Sequence, residues 1–181
     1  MKKITKILSL LALGLSMTII SCNKNSENSG KSDPLAIAAN TTAEDIQKSK
    51  EERRANLPEN VLEIEGADNM QYDITELKAK AGKPITLKLT HVGKASKADM
   101  GHNLVILKSG TDIDAFGREA LKFASNDYIP TDTSKIIAHT KLLGGGESDT
   151  ITFTINEKGT YDFLCTFPGH HVLMRGKLIV D

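Results

Sequence analysis

A Greek-key β-sandwich of seven or eight short strands, with one inserted helical flap, is the all-β fold that residues 61–181 predict. Three observations carry it. Apolar and polar residues alternate with period two in several short runs, the mark of strands that bury one face. Glycine- and proline-bearing turn signals separate those runs. One stretch, Asp112–Ser125, abandons that period for helical spacing.

From the N-terminus, Met1-Lys2-Lys3-Ile4-Thr5-Lys6 is a basic start, followed by an apolar run from Ile7 to Ile20 that is short for a membrane span. The run ends Ile19-Ile20-Ser21-Cys22, which resembles the bacterial lipobox. Residues 1–21 are therefore expected to be a lipoprotein signal peptide, with Cys22 as the lipidated first residue of the mature chain. Asn23 stands where the pattern for inner-membrane retention has Asp. This leads to an expected anchor in the outer membrane of a Gram-negative bacterium, on its periplasmic side. Residues 22–60 read as a flexible tether, because Asn23–Asp33 holds almost no apolar residue. Within it, 42–57 has helix chemistry: Thr41 or Thr42 can cap, an acid follows three residues on, and Pro58 stops the run. Its only large apolar residues are Ile46 and Leu57, so a solvated helix is expected.

Strands are expected at Val61–Ile64, Gln71–Ile74, Ile85–Leu89, Asn103–Lys108, Thr150–Ile155, Tyr161–Cys165 and Lys177–Val180. Gly66, Gly82-Lys83-Pro84, Gly144-Gly145-Gly146 and Lys158-Gly159 mark turns between them. The glycine triplet lacks the Lys-Ser/Thr of a phosphate loop. In the flap, Ile113, Phe116, Ala120 and Phe123 share a helical face, although Gly117 is a poor helix former inside it. Two facing sheets of this length bury enough apolar surface to stand without staples.

Charge excludes one class of partner. Lys2, Lys3 and Lys6 are the only charged residues before Cys22, so the mature chain has 20 basic and 23 acidic groups, a net charge of about −3. Nothing there favours nucleic acid.

Soft metal ligands cluster near the C-terminus, in Cys165-Thr166-Phe167-Pro168-Gly169-His170-His171-Val172-Leu173-Met174. Cys-x4-His-x3-Met offers thiolate, imidazole and thioether from one loop, a set that suits copper better than zinc, magnesium or calcium. Met100-Gly101-His102-Asn103 supplies a second imidazole. Two His nitrogens and one Cys sulfur, with a weak axial Met, make a mononuclear blue-copper electron-transfer site. The chain has two cysteines. With Cys22 used for lipid, Cys165 has no disulfide partner, and a lone thiol in an oxidising compartment is best occupied by metal.

On these residues Val61–Asp181 resembles azurin-type blue-copper proteins of the cupredoxin fold. The resemblance is carried by Met100-Gly101-His102-Asn103, Ile137-Ala138-His139-Thr140-Lys141-Leu142, the Cys165–His170 loop with Leu173-Met174 and Gly176, and His91-Val92-Gly93. It implies a blue-copper domain at 61–181 with His102, Cys165 and His170 as equatorial ligands. Met174 and the Gly101 carbonyl would be weakly axial. Asn103 would tie the ligand loops together, and the Phe167 N–H would donate to the Cys165 sulfur. His91 would be a partly buried ring near the metal; His139 is expected at the surface. The family's usual disulfide is missing, with Asn60 and Gly82-Lys83 near its place, and Leu104 stands where a buried Trp is frequent.

The resulting expectation is a one-electron carrier, not an enzyme, cycling one Cu(I)/Cu(II) per domain. The electron would pass through an exposed edge of His170, inside a docking rim of Met100, Phe167, Pro168, Val172 and Leu173. Ala95, Asp99 and His171 would make that rim smaller and more polar. Partners would be transient redox proteins (a cytochrome, oxidase, reductase or peroxidase), with the membrane reached through lipid on Cys22. A copper-handling module is the alternative, but it should show an exposed Met/His-rich tract, and none occurs. A Cys–His nucleophile lacks an orienting acid and leaves Met174 unexplained. A copper nitrite reductase would need a second copper site and a second domain.

Overall fold

The computed structural model describes residues 42–181. The expected signal peptide, Cys22 and the tether up to residue 41 lie outside them. Among the described residues nine strands form two mixed sheets. The first contains β1 (Val61–Ala67), β2 (Gln71–Tyr72), β4 (Pro84–His91) and β7 (Ser148–Thr154), in the order β2-β1-β4-β7. The second contains β3 (Glu76–Ala79), β5 (Val105–Leu107), β6 (Ile136–His139), β8 (Gly159–Leu164) and β9 (Arg175–Val180), in the order β3-β9-β8-β5-β6. Pairs β1/β4 and β3/β9 are parallel, and the other pairs are antiparallel. The all-β sandwich expectation holds, with β3 and β6 added to the seven runs read from the sequence.

Alternation explains the main core. In β4, Ile85, Leu87 and Leu89 point inward while Thr86 and Lys88 face out, and Leu62 and Ile64 of β1 do the same. They meet Leu104, Ile106, Phe163 and Leu178 from the other sheet in one buried cluster. Each such side chain contributes about 1.5–3 kcal/mol on burial. Strand β5 breaks the alternation: Val105, Ile106 and Leu107 are all fully buried. The flap is the reason. Helix α3 (Ile113–Ala120), capped by Asp112, lays Phe116 beside Val105, Leu107, Ile136 and Leu164 in a second cluster on the outer face of that sheet. A 3-10 stretch, Leu121–Asn126, carries the flap onward.

Helix α1 (Ala43–Ala55) opens on a capping box in which Asp45 N–H donates to Thr42 Oγ1 (3.1 Å) and Thr42 N–H donates to Asp45 Oδ2 (2.9 Å). The helix is solvated, as expected, and it also rests against the sandwich. It buries no residue, and charge holds it. Lys50 Nζ lies 2.5 Å from Glu65, Arg53 lies 3.0 Å from Glu63 and 3.2 Å from Glu65, and Arg54 pairs with Asp73 while donating to the Glu63 carbonyl (3.1 Å). Lys50, Arg53 and Arg54 share one helical face, a signal the sequence carried in its charges rather than its apolar residues.

Asn60 ties two chain segments together. At φ 61° its side chain donates to the Lys80 carbonyl (3.0 Å) and accepts from the Lys80 N–H (2.7 Å). That pair of hydrogen bonds joins the start of β1 to the chain leaving β3.

Candidate metal centre

One end of the sandwich gathers the soft donors. Cys165 stands one residue beyond β8, and its N–H donates to the Met174 carbonyl (2.9 Å), closing the base of a loop. A 3-10 turn at His170–Val172 folds back within that loop, where Met174 N–H donates to the His170 carbonyl (2.7 Å). Met174 is fully buried at the foot of β9. His102 arrives separately, after the short helix α2 (Lys97–Met100), and is fixed by paired backbone bonds with Leu143. Its ring reaches across to the first sheet, with Nε2 2.9 Å from the Ala67 carbonyl. A carbonyl only accepts, so Nε2 carries the proton and Nδ1 presents a lone pair.

His102, Cys165 and His170 each bring one donor atom, all within 4.8 Å of one another. Cys165 Sγ is 3.6 Å from His170 Nδ1 and 3.9 Å from the Gly101 carbonyl oxygen. His102 Nδ1 is buried without a hydrogen-bond partner. An orphaned lone pair facing a buried thiol and a second imidazole is costly by itself and fits a soft metal ion. Gly66 makes room for this packing: a Cβ there would fall 2.7 Å from Met174 Cε and 2.9 Å from His102 Cδ2.

The surroundings hold these groups in place. His91 stacks on His102 with ring centroids 4.2 Å apart; its Nδ1 accepts from Gly93 N–H (3.1 Å) and its Nε2 donates to the Met100 carbonyl (2.8 Å). Asn103 joins the two ligand segments, accepting from Thr166 N–H (2.8 Å) and donating to Thr166 Oγ1 (2.7 Å) and the Asp127 carbonyl (3.0 Å). Tyr72 Oη donates to the Asn103 carbonyl (2.5 Å). Burial pushes the Cys165 thiol up to about 12, opposed by backbone N–H groups of Asn103 and Phe167 aimed at the sulfur. Burial, then the neighbouring His102 and His91, holds His170 down to about 4. Burial also lowers His102.

Residues 58–181 match the family described as copper binding proteins, plastocyanin/azurin family. The chain belongs to that family. Outer membrane protein H.8 of Neisseria gonorrhoeae is 43% identical over 122 residues, 65% of this chain and 66% of its own length, just under two thirds. Azurin-2 of Alcaligenes xylosoxydans xylosoxydans is 40% identical over 120 residues, 64% of this chain and 92% of its own. The crystal structure of dithionite-reduced auracyanin from Roseiflexus castenholzii superposes with TM-score 0.62 at 38% identity, covering 69% of this chain and 99% of that one. Copper is therefore the metal for this plastocyanin/azurin-family chain, and the cupredoxin sandwich is its fold.

Two expectations for the surface are corrected. His170 is only 2% exposed, so its ring does not present an open edge; Phe167 covers it, with centroids 4.7 Å apart. His171 does not belong to the rim. The 3-10 turn rotates it inward beneath the flap, where it is buried. Val172 and Leu173 remain the most exposed apolar residues of the loop, at 54% and 58%, with Pro168 also exposed and Met100 partly so. His139 is exposed. Sequence reasoning gave no role to Thr166, Tyr72 or the Ala67 carbonyl. Thr166 follows Cys165 directly, whereas a backbone acceptor from β1 leaves no side-chain signal.

Proposed function

We propose that this chain is a periplasmic, membrane-anchored one-electron carrier. His102 Nδ1, Cys165 Sγ and His170 Nδ1 would hold one copper ion, with the Met174 thioether and the Gly101 carbonyl as weaker donors. The observation that carries the proposal is the buried His102–Cys165–His170 group, whose donors converge within 4.8 Å around an otherwise unpartnered imidazole nitrogen. Bound copper supplies the one-electron couple. The protein supplies a frame that resists rearrangement. His102 is fixed by Ala67 and by stacking on His91, while Asn103 clips its own segment to Thr166 beside the ligand Cys. N–H groups directed at the sulfur temper the charge on the thiolate and thereby the potential.

Burial of all three donors favours carriage over copper handling, which calls for an exchangeable site at the surface. The exposed Val172 and Leu173 beside the ligand turn suit a small, transient docking patch for a cytochrome, oxidase, reductase or peroxidase. Membrane attachment is supported by the lipobox-like Ile19-Ile20-Ser21-Cys22 and by the name of the outer membrane protein relatives.

Titration of the protein with Cu(II) should produce an intense visible thiolate charge-transfer band that disappears and returns on reduction and reoxidation. Cys165→Ser should abolish that band while leaving the sandwich folded. A colourless, readily surrendered Cu(I) would instead favour copper handling. Radiolabelled palmitate should enter the wild-type chain and not Cys22→Ser; equal labelling would sink the anchor.

A further inference from the structure

Helix α3 contributes no donor to the metal centre, yet it packs on the turn that does. The contact is Gly117 against His171. Gly117 is buried, and a Cβ built on it would meet His171 Cγ and lie 2.6 Å from Cδ2 and 2.8 Å from Cβ. Those atoms are the root of the His171 side chain rather than its tip, so the ring cannot swing clear without moving the backbone beside His170. His171 Nδ1 is buried and makes no hydrogen bond. Packing therefore accounts for its place better than polarity does. The same helix reaches the other end of the donor loop, where Asp114 pairs with Arg175 at 2.9 Å, next to Met174. Phe116 in turn fixes the helix to Val105, Leu107 and Leu164 of the second sheet.

We propose that Gly117 and His171 form a packing clamp through which the flap holds the His170 turn in register, making both of them positioning residues of the copper centre. This rests on the ligand assignment above. The absent Cβ at 117 sets how closely helix and turn approach, and the imidazole of His171 fills the gap. The ligand His170 moves only if His171 moves.

The test compares the full chain, loaded with Cu(II), as wild type, Gly117→Ala, His171→Ala and the double variant. The readouts are the visible and electron paramagnetic resonance spectra of the copper and the rate of copper loss to a chelator, with the melting temperature alongside. Gly117→Ala should alter both spectra and speed copper loss at least tenfold. His171→Ala should lose copper faster and shift the spectra less than Gly117→Ala does, because it removes the contact without adding a clash. In the double variant the new methyl meets only the Cβ of residue 171, 2.8 Å away, and no longer the ring, so the spectra should move part of the way back from those of Gly117→Ala towards those of His171→Ala. The clamp is overturned if Gly117→Ala keeps wild-type spectra and loss rate, whatever its melting temperature, or if the double variant shows no rescue. Should Gly117→Ala fail to fold, the double variant alone decides: a folded protein with the band supports the clamp, and loss of the band refutes it. A wild-type chain without the band, or Cys165→Ser with it, overturns the ligand assignment instead.

Discussion

Copper uptake by the metal-free protein should release one proton between about pH 5.5 and 8, and that proton should come from Cys165. Burial raises the thiol to about 12, while His170 is held down to about 4 and His102 is also lowered. At neutral pH the metal-free pocket thus holds a protonated sulfur and two neutral imidazoles. Forming the thiolate at pH 7 costs roughly 7 kcal/mol, about five pH units at 1.36 kcal/mol each. Apparent affinity should therefore rise about tenfold for each pH unit across this range. Approaching about pH 4 the proton count should climb above one, as His170 enters its own titration. Calorimetry of metal binding in buffers of different ionisation enthalpy reads the count directly, with Zn(II) as a redox-inert check on Cu(II). Release of no proton at pH 7 would mean that the Asn103 and Phe167 N–H groups already sustain a thiolate, and two would mean a charged imidazole. Either result refutes the reasoning.

The metal-free protein should also lose stability as the pH falls from about 6.5 towards 4, because the unfolded chain binds a proton that folded His170 refuses; the contribution is full above the unfolded pKa, is lost through the folded one, and amounts to at most about 3 kcal/mol. Denaturant melts across that range check it, and a flat profile would contradict it. Asn103→Ala should destabilise the metal-free fold by about 2–4 kcal/mol, because it strips buried partners from Thr166 and Asp127. A loss below about 0.5 kcal/mol would show that water replaces the side chain at little cost. Salt at 1 M, where the screening length is about 3 Å, or Arg54→Met should speed hydrogen exchange across Ala43–Ala55 while leaving β4 and β8 protected. Unchanged exchange would mean that charge is not what docks the helix.

Elements whose identity depends on local pattern were legible before any coordinates. Strand β4 alternates cleanly because it buries one face, and β7 alternates between half-buried and exposed residues. Strand β3 escaped because Glu76–Ala79 is four residues long and becomes a strand only by pairing in parallel with β9, a partner 101 residues away in sequence at Glu76↔Lys177. Docking of α1 escaped because amphipathic reasoning looks for apolar faces, whereas Lys50, Arg53 and Arg54 offer a cationic one to Glu63, Glu65 and Asp73. At the metal centre the chemistry and spacing of His102, Cys165 and His170 already pointed to the side chains that the fold brings together. The orientation of His171 was not legible, since it depends on a 3-10 turn and on packing against Gly117 of α3, neither of which the loop's own sequence shows. Gly117, which looked like a flaw in a helix, sits where that helix meets the ligand loop.

Copper-edge anomalous diffraction from crystals of the copper-loaded protein tests the central claim most directly. The account predicts one dominant peak per domain, in bonding contact with His102 Nδ1, Cys165 Sγ and His170 Nδ1. A peak at the surface histidine His139, or one bonded to His170 but not to Cys165, would contradict it.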